Sequence, residues 1–302
     1  MLFIRKYLGF LLCLCVLYFV KAQTKKKYDV LIVDGFSNHD WQRTTELVKQ
    51  ILEESELFKV SISTVPNMKD TAVWADWHPD FKQFHVVIQN TNNIHDTTLH
   101  WPKKAKLAIE EYMNSGGGLY VLHSANNAFP HWKTYNRIIG LGWRKKESGV
   151  ALQVAKDKSI VRIMKGEGKD TYHGPRKDMV IKILTDHPIN RQMPREWKSP
   201  NMELYKFARG PAKEVTILSY AKDGETGINW PVEWVVDYKK GRIYNSSMGH
   251  LWKGDSYPLG YRCVGFRTTL VRATEWLASG KTTYAVPANF PTENKISLIK
   301  SN

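Results

Sequence analysis

Short apolar runs that alternate with amphipathic helices are the feature that most restricts the fold of this chain. Tyr28–Asp34 is rich in β-branched residues and ends at Gly35, which is typical of a buried parallel strand. An amphipathic helix is predicted next, over about residues 41–54. Strands are then predicted at Val60–Val65, Phe84–Gln89 and Leu119–His123, with a helix from Trp101 to about Met113. This alternation predicts an α/β fold, a doubly wound and mostly parallel sheet in three α/β/α layers.

The second half of the chain is richer in strands and ends in a helix. A final helix is predicted from about Arg262 to Ser279. Neither an internal repeat nor a long linker divides the chain, so we expect one α/β domain over residues 23–280 and an irregular C-terminal tail over 281–302. The predicted strands are Val180–Leu184, Leu204–Ala208, Val215–Tyr220, Val232–Asp237 and Arg242–Ser247.

The first residues have the pattern of a secretory signal peptide. Arg5 and Lys6 precede the apolar run Tyr7–Val20, and the small residue Ala22 offers a cleavage site. We therefore expect residues 1–22 to be removed and the protein to be exported, to a periplasm or the extracellular space. The run is shorter than the roughly 20 residues of a membrane-spanning helix, so stable insertion after cleavage is not expected. An uncleaved N-terminal anchor is the alternative.

Cysteine content and charge exclude several classes of protein. Only Cys263 lies outside the predicted signal, so a scaffold held by disulfides is excluded and the core must supply stability. The formal net charge is +15, but three of the positive residues lie in the signal and the others are scattered. Without a basic run or a recognition motif, nucleic acid is not an expected partner. A G-x-G-x-x-G fingerprint is absent too, so no nucleotide cofactor is expected.

Polar residues follow several of the predicted strands, where an open parallel sheet binds its ligands. Because the carboxyl ends of parallel strands share one edge of the sheet, histidines from separate strands are expected to meet there. The residues delivered to this edge are Ser37, Asn38, His39 and Asp40 from the first strand, Gln89, Asn90 and Asn92 from the third, His123, Ser124, Asn126 and Asn127 from the fourth, and His250 from a late strand.

An ordered set of motifs resembles the trehalose-utilisation (ThuA-like) family over about residues 28–278. The resemblance implies a flavodoxin-like fold of the class I glutamine-amidotransferase-like superfamily. It also implies a role in the use of carbohydrates. The motifs are Gly116-Gly-Gly-Leu-Tyr-Val-Leu-His-Ser-Ala125, Gly142-Trp-Arg144, Asp186-His-Pro-Ile189, Glu203-Leu-Tyr205, and Gly241-Arg-Ile-Tyr244 followed by Gly249-His250.

One departure from that superfamily excludes glutamine hydrolysis. His123 stands where the resemblance places a catalytic cysteine, and His250 stands at the position of its histidine. Without a thiolate no covalent thioester can form. Cys263 falls in the final helix and is expected to be a packed core residue.

Two kinds of chemistry remain open for the strand-end histidines. His123 and His250, with Glu203, can act as catalytic acid–base groups on a sugar. Alternatively His39, His123 and His250 can bind a divalent metal such as Zn²⁺, with Glu203 as a carboxylate ligand. A Ser-His hydrolase that pairs Ser124 with His250 is also conceivable, although no G-x-S-x-G elbow supports it.

The remaining candidates are expected to bind substrate. Tyr205 can hydrogen-bond a sugar hydroxyl, whereas Trp143 can stack on a sugar face beside the fixed donors of Arg144. His173 and His187 precede Gly174 and Pro188 and are interpreted first as turn residues. The substrate-binding candidates are His39, Asn90, Ser124, Trp143, Arg144 and Tyr205.

Three functions fit these observations. The first is an exported enzyme that processes trehalose, another disaccharide or a 3-keto sugar. The second is a glycan-binding module of the same fold without turnover, and the third is a metal-dependent hydrolase of another substrate. In the first two the partner is a small carbohydrate or glycan, and the sequence leaves the oligomeric state open, a homo-oligomer included.

Overall fold

The computed structural model describes residues 26–300, so the predicted signal over residues 1–22 lies outside the described part and export stays a prediction. The described chain forms one large mixed sheet with helices on its faces. Its strands are β1 (Tyr28–Asp34), β2 (Phe58–Thr64), β3 (Val86–Gln89), β4 (Gly118–Leu122), β5 (Val150–Val154), β6 (Ile160–Ile163), β7 (Lys177–Ile183), β8 (Glu196–Met202), β9 (Arg209–Gly210), β10 (Val215–Lys222), β11 (Asn229–Tyr238) and β12 (Gly241–Ser246).

Helices connect the parallel strands, and two further helices follow the last strand. The first begins after Asp40, whose carboxylate accepts a hydrogen bond from the backbone N–H of Arg43 at 3.3 Å and so caps the helix. Short 3-10 turns supplement them, including one at His123–Asn127 directly after β4. The helices are α1 (Trp41–Glu54), α2 (Thr71–Asp76), α3 (Lys103–Asn114), α4 (Lys133–Ile139), α5 (Leu259–Arg262) and α6 (Val264–Ser279).

The sheet has two halves that differ in strand direction. Its order is β2-β1-β3-β4-β12-β11-β10-β7-β8, and the first five strands of that order are mutually parallel. From β12 onward the pairing is antiparallel. β5 joins β11 at one residue pair and carries β6 and β9 beside it. The parallel half is the part built by strand–helix–strand alternation, as predicted.

Alternation along β1 shows how the sheet divides two cores. Val30 and Ile32 pack on the face covered by α1 and α6, whereas Leu31 and Val33 pack on the face covered by α3 and α4. All four side chains are almost fully buried, because helices cover both faces of a parallel sheet. The predicted three-layer α/β/α arrangement is therefore confirmed for this half.

One predicted strand of the second half was wrong, whereas the other four strands match β7, β10, β11 and β12. The segment Leu204–Ala208 forms no strand, because its backbone leaves the sheet after β8 and pairs with Tyr172 through an isolated bridge at Lys206. No pattern in the sequence predicted β5, β6 or β8. The predicted final helix is confirmed as α6, and the short helix α5 lies just before it, separated at Cys263.

The C-terminal tail has no regular structure over most of its length, yet it packs on the domain. Phe290 is buried against Trp197 of β8, with ring centroids 5.5 Å apart. The backbone of Ser297 accepts a hydrogen bond from Val264 at 2.9 Å. Cys263 is buried between α5 and α6, and burial raises the pKa of its thiol. Within residues 26–300, no helix combines the length and apolar character needed to cross a bilayer.

Candidate functional site

Four polar side chains converge at the carboxyl-end edge of the parallel half. His39 follows β1, His123 follows β4 and His250 follows β12, as the strand-end rule predicts. Glu203 arrives from the opposite half, directly after β8. One potential ligand atom from each of the four lies within 4.8 Å of the others, and we call this group the imidazole cluster.

The backbone around two of these histidines is unusual. His123 has a φ of +41°, a region that non-glycine residues enter rarely, and this turns its side chain out of the strand at the start of the 3-10 turn. Gly249, directly before His250, has a φ of +99°. A Cβ at that position would lie 3.0 Å from Leu122 and 3.3 Å from Phe266, so glycine suits both the turn and the close packing.

The three imidazoles form a nearly equilateral triangle. Their ring centroids lie 5.1 Å apart for His39 and His123, 5.0 Å for His39 and His250, and 5.2 Å for His123 and His250. Each pair of rings is close to perpendicular. The Glu203 carboxylate completes the cluster, with Oε2 at 3.6 Å from Nε2 of His123 and Oε1 at 3.5 Å from Nε2 of His250.

Hydrogen bonds to neighbouring oxygens fix the tautomers of two rings. His123 donates from Nδ1 to the carbonyl of Ser247 at 2.7 Å, and His39 donates from Nδ1 to Oδ1 of Asn38 at 2.9 Å. The Nε2 atom of each neutral ring then carries its lone pair. His250 differs, because its Nδ1 accepts from the Arg176 guanidinium at 3.3 Å. With Nδ1 as acceptor, the neutral ring of His250 carries its proton on Nε2, toward Glu203.

Burial keeps the imidazoles uncharged near neutral pH. Loss of hydration lowers the pKa of His39 to about 3, with His250 and His173 adding to the effect. The same cause lowers the pKa of His250 to about 4 and holds the pKa of His123 well below its usual range. Burial also raises the pKa of Glu203. The cluster thus combines neutral imidazole rings with a carboxyl group that is costly to ionise.

Three residues that contact the imidazole cluster were not predicted to belong to the site. His173, expected to be a turn residue, places Nε2 at 3.4 Å from Oε1 of Glu203 and stays 40% exposed. Arg176 bonds His250, as described above, and Trp252 packs on His39 and His250 with centroids 5.2 and 6.1 Å away. No spacing in the sequence marks these residues, because each lies in an irregular loop that only the tertiary fold brings to the cluster.

Two predicted substrate-binding residues lie against the cluster. The Tyr205 hydroxyl is 3.5 Å from Nε2 of His123, and the indole of Trp143 packs edge-on against Tyr205 with centroids 5.2 Å apart. Trp143 also contacts His173 at 5.6 Å. Trp143 and Trp252 therefore flank the cluster on two sides.

The other three predicted residues serve the fold in this structure. Arg144 is buried, and its guanidinium donates to the carbonyls of Asn126, Asn127 and Ala128, which holds the 3-10 turn after β4. Asn90 donates its amide to Trp41 and Thr45 of α1. Ser124 is buried, and no hydrogen bond joins it to His250 within residues 26–300, so the Ser-His pairing lacks structural support.

Comparison with known proteins identifies similar chains. A sequence model of the family described as trehalose utilisation (ThuA) matches residues 29–277. A putative ThuA-like protein from Parabacteroides merdae is 32% identical, with a TM-score of 0.84 over 92% of this chain and 100% of that one. A putative GMP synthase component from Thermoplasma acidophilum aligns over 85% of this chain and 96% of its own at 10% identity, with a TM-score of 0.42. No curated protein sequence matches the chain.

Proposed function

Because the chain belongs to the trehalose-utilisation (ThuA) family, we propose that it processes a disaccharide or 3-keto sugar at a divalent-metal site. The ligands of that site are His39, His123, His250 and Glu203. The observation that carries the proposal is their convergence, with one donor atom from each within 4.8 Å of the others.

The donor set fits a metal of the Zn²⁺ type. Neutral imidazoles and a carboxylate are the ligands such ions prefer, and burial favours the uncharged form of all three rings. The Ser247 carbonyl and the Asn38 amide oxygen hold His123 and His39 in the tautomer that directs Nε2 toward the cluster. Partners of this kind orient ligands in metal sites.

The surrounding residues suit a carbohydrate. Trp143 and Trp252 can pack against the apolar faces of a sugar ring, and the Tyr205 hydroxyl can bond a sugar oxygen next to His123. A bound cation would supply a Lewis acid for polarising a sugar carbonyl or hydroxyl. His173, which bridges Glu203 and solvent, can carry protons between that carboxyl group and bulk water.

Metal analysis tests this proposal directly. We expect the purified wild-type protein to hold about one divalent ion per chain, as measured by plasma mass spectrometry. Since even partners outside the ligand set change metal affinity 10–100-fold, His123→Ala and Glu203→Gln should each weaken binding by about a hundredfold or more. His78→Ala removes an exposed histidine outside the cluster and serves as the matched control.

Turnover of trehalose and of 3-keto-trehalose is then measured on the same four proteins. Conversion that requires both the metal and His123 supports an enzyme. Sugar binding without conversion would instead establish the glycan-binding module. Metal retained in full by His123→Ala and Glu203→Gln would refute the proposed site.

A further inference from the structure

Two exposed side chains lie at the outer rim of the imidazole cluster, and both contact the ring of His250. Arg176 donates from Nη1 to Nδ1 of His250 at 3.3 Å, at the edge of the ring. The indole of Trp252 stacks on the face of the same ring, with the two planes 9° apart and the centroids at 6.1 Å. Trp252 is 45% exposed, and Arg176 is exposed as well. A positive charge and a flat apolar surface therefore stand side by side at the rim, open to solvent.

No neighbouring carboxylate neutralises the charge of Arg176. Within residues 26–300, its side chain bonds His250 and forms no ion pair with an acidic residue. The next residue, Lys177, is exposed too, but its ammonium pairs with Glu225 at 3.8 Å. Because a guanidinium carries several N–H donors, Arg176 keeps donors for a ligand after it has bonded His250.

Further basic groups surround the same rim. His173 belongs, like Arg176, to the loop between β6 and β7, and its side chain is 40% exposed. His95 is exposed and lies close enough for its charge to act on His39. Asp255 supplies an opposing charge near the cluster. Basic groups thus outnumber acidic ones at the rim.

A divalent ion in the imidazole cluster would add to this positive charge. Glu203 is the one carboxylate among the four proposed ligands, so it compensates such an ion only in part. The guanidinium of Arg176 and the ion would repel each other, and an anionic group bound between them relieves that repulsion. Arginine is suited to this role, because its planar fork can bind a carboxylate or a phosphate through two parallel hydrogen bonds.

We propose that Arg176 binds a carboxylate or phosphate group of the substrate, so that the protein prefers a sugar with an acidic group over its neutral counterpart. Trp252 packs on the apolar face of the same sugar. This inference rests on the proposed carbohydrate function at the metal site, and it names the class of sugar. Arg176 is a binding residue here and takes no part in bond making or breaking.

The test is calorimetric titration of the purified, metal-loaded protein with glucose, glucuronate, glucose 6-phosphate and inorganic phosphate. We expect at least one of the two acidic sugars to bind about tenfold or more tightly than glucose. This advantage should decrease as sodium chloride is added, because salt screens exposed charges. Inorganic phosphate should bind more weakly than the better acidic sugar, since it lacks the ring that packs on Trp252.

Variants of Arg176 separate its charge from its hydrogen bond to His250. Arg176→Gln retains an N–H donor but loses the charge, and it should reduce the advantage of the acidic sugar to about twofold or less. Arg176→Lys retains the charge without the planar fork and should keep an advantage of at least about threefold. Lys177→Gln removes the neighbouring charge, which already has a carboxylate partner, and should behave like wild type.

Two results would overturn the inference. One is equal affinity for glucose and both acidic sugars, and the other is an advantage that Arg176→Gln retains in full. Inorganic phosphate that binds as tightly as the better acidic sugar would likewise contradict a sugar site. Metal content is measured separately: a protein that holds the metal but has no preference for acidic sugars refutes this inference alone, whereas a protein without metal refutes the proposed metal site.

Discussion

Two groups of buried polar side chains, one in each half of the sheet, differ in whether their hydrogen-bonding atoms have partners. In the antiparallel half, Glu233 of β11 lies in the core, where Ser219 of β10 and Tyr244 of β12 each donate a hydrogen bond to one carboxyl oxygen. Both acceptors of the carboxyl group therefore have a donor. A buried carboxyl group satisfied in this way stabilises the packing of three neighbouring strands.

In the parallel half, the imidazole cluster brings acceptors together. The Nε2 lone pair of His123 faces Oε2 of Glu203 at 3.6 Å. Acceptors in such positions repel one another unless a proton or a cation is shared among them. The difference teaches that burial alone does not mark a functional site. A convergence of acceptors does mark such a site, because by itself it does not stabilise the fold.

The largest expected effect is the loss of stability when the Glu233 carboxyl group is removed. Glu233→Ala leaves the Ser219 and Tyr244 hydroxyls without their acceptor and opens a cavity, so it should reduce the free energy of unfolding by about 3 kcal/mol in urea titrations. Glu233→Gln retains an oxygen acceptor and adds an amide donor, and it should cost less than about 1 kcal/mol. If Glu233→Ala were as stable as wild type, the contrast between the two halves would be lost.

A smaller effect is expected in how the free energy of unfolding depends on pH, which should differ between wild type and Glu233→Gln. Burial raises the pKa of Glu233 in the folded state above the ordinary value of 4.5. Above pH 4.5 the unfolded chain releases this proton first, so the carboxyl group makes stability fall as pH rises toward its folded-state pKa.

Glu233→Gln removes this contribution. We expect its stability relative to wild type to improve as the pH rises from 5 to 7, measured as unfolding free energies at both pH values. A constant difference across that interval would mean that Glu233 titrates normally in the core.

The smallest expected effect is on the metal affinity of the imidazole cluster. Arg176 is exposed, brings a positive charge to the site, and donates to Nδ1 of His250, which keeps the proton of that ring on Nε2. Arg176→Ala should therefore tighten metal binding by about threefold, as measured by chelator competition. Lys177→Ala removes a neighbouring exposed charge as the control. Weaker metal binding in Arg176→Ala would show that the guanidinium positions His250.

Much of the parallel half could be predicted from the sequence. The strands near β1, β3 and β4 follow from short β-branched runs, and the alternation with helices implies a shared edge for His39, His123 and His250. The antiparallel half was harder. The segment after β8 contains enough apolar residues to resemble a strand, but Tyr205 packs against the cluster and the backbone leaves the ladder.

The sequence by itself determined the layered fold and three of the four cluster residues by position, since both depend on local periodicity and on the common direction of parallel strands. Glu203 was suggested by family resemblance alone. Only the tertiary structure decided that Glu203 and His173 reach the same point, that Arg144 holds a turn, and that Trp252 flanks the cluster. Such contacts join loops far apart in the chain, and their geometry is set by packing between elements, which no local pattern records.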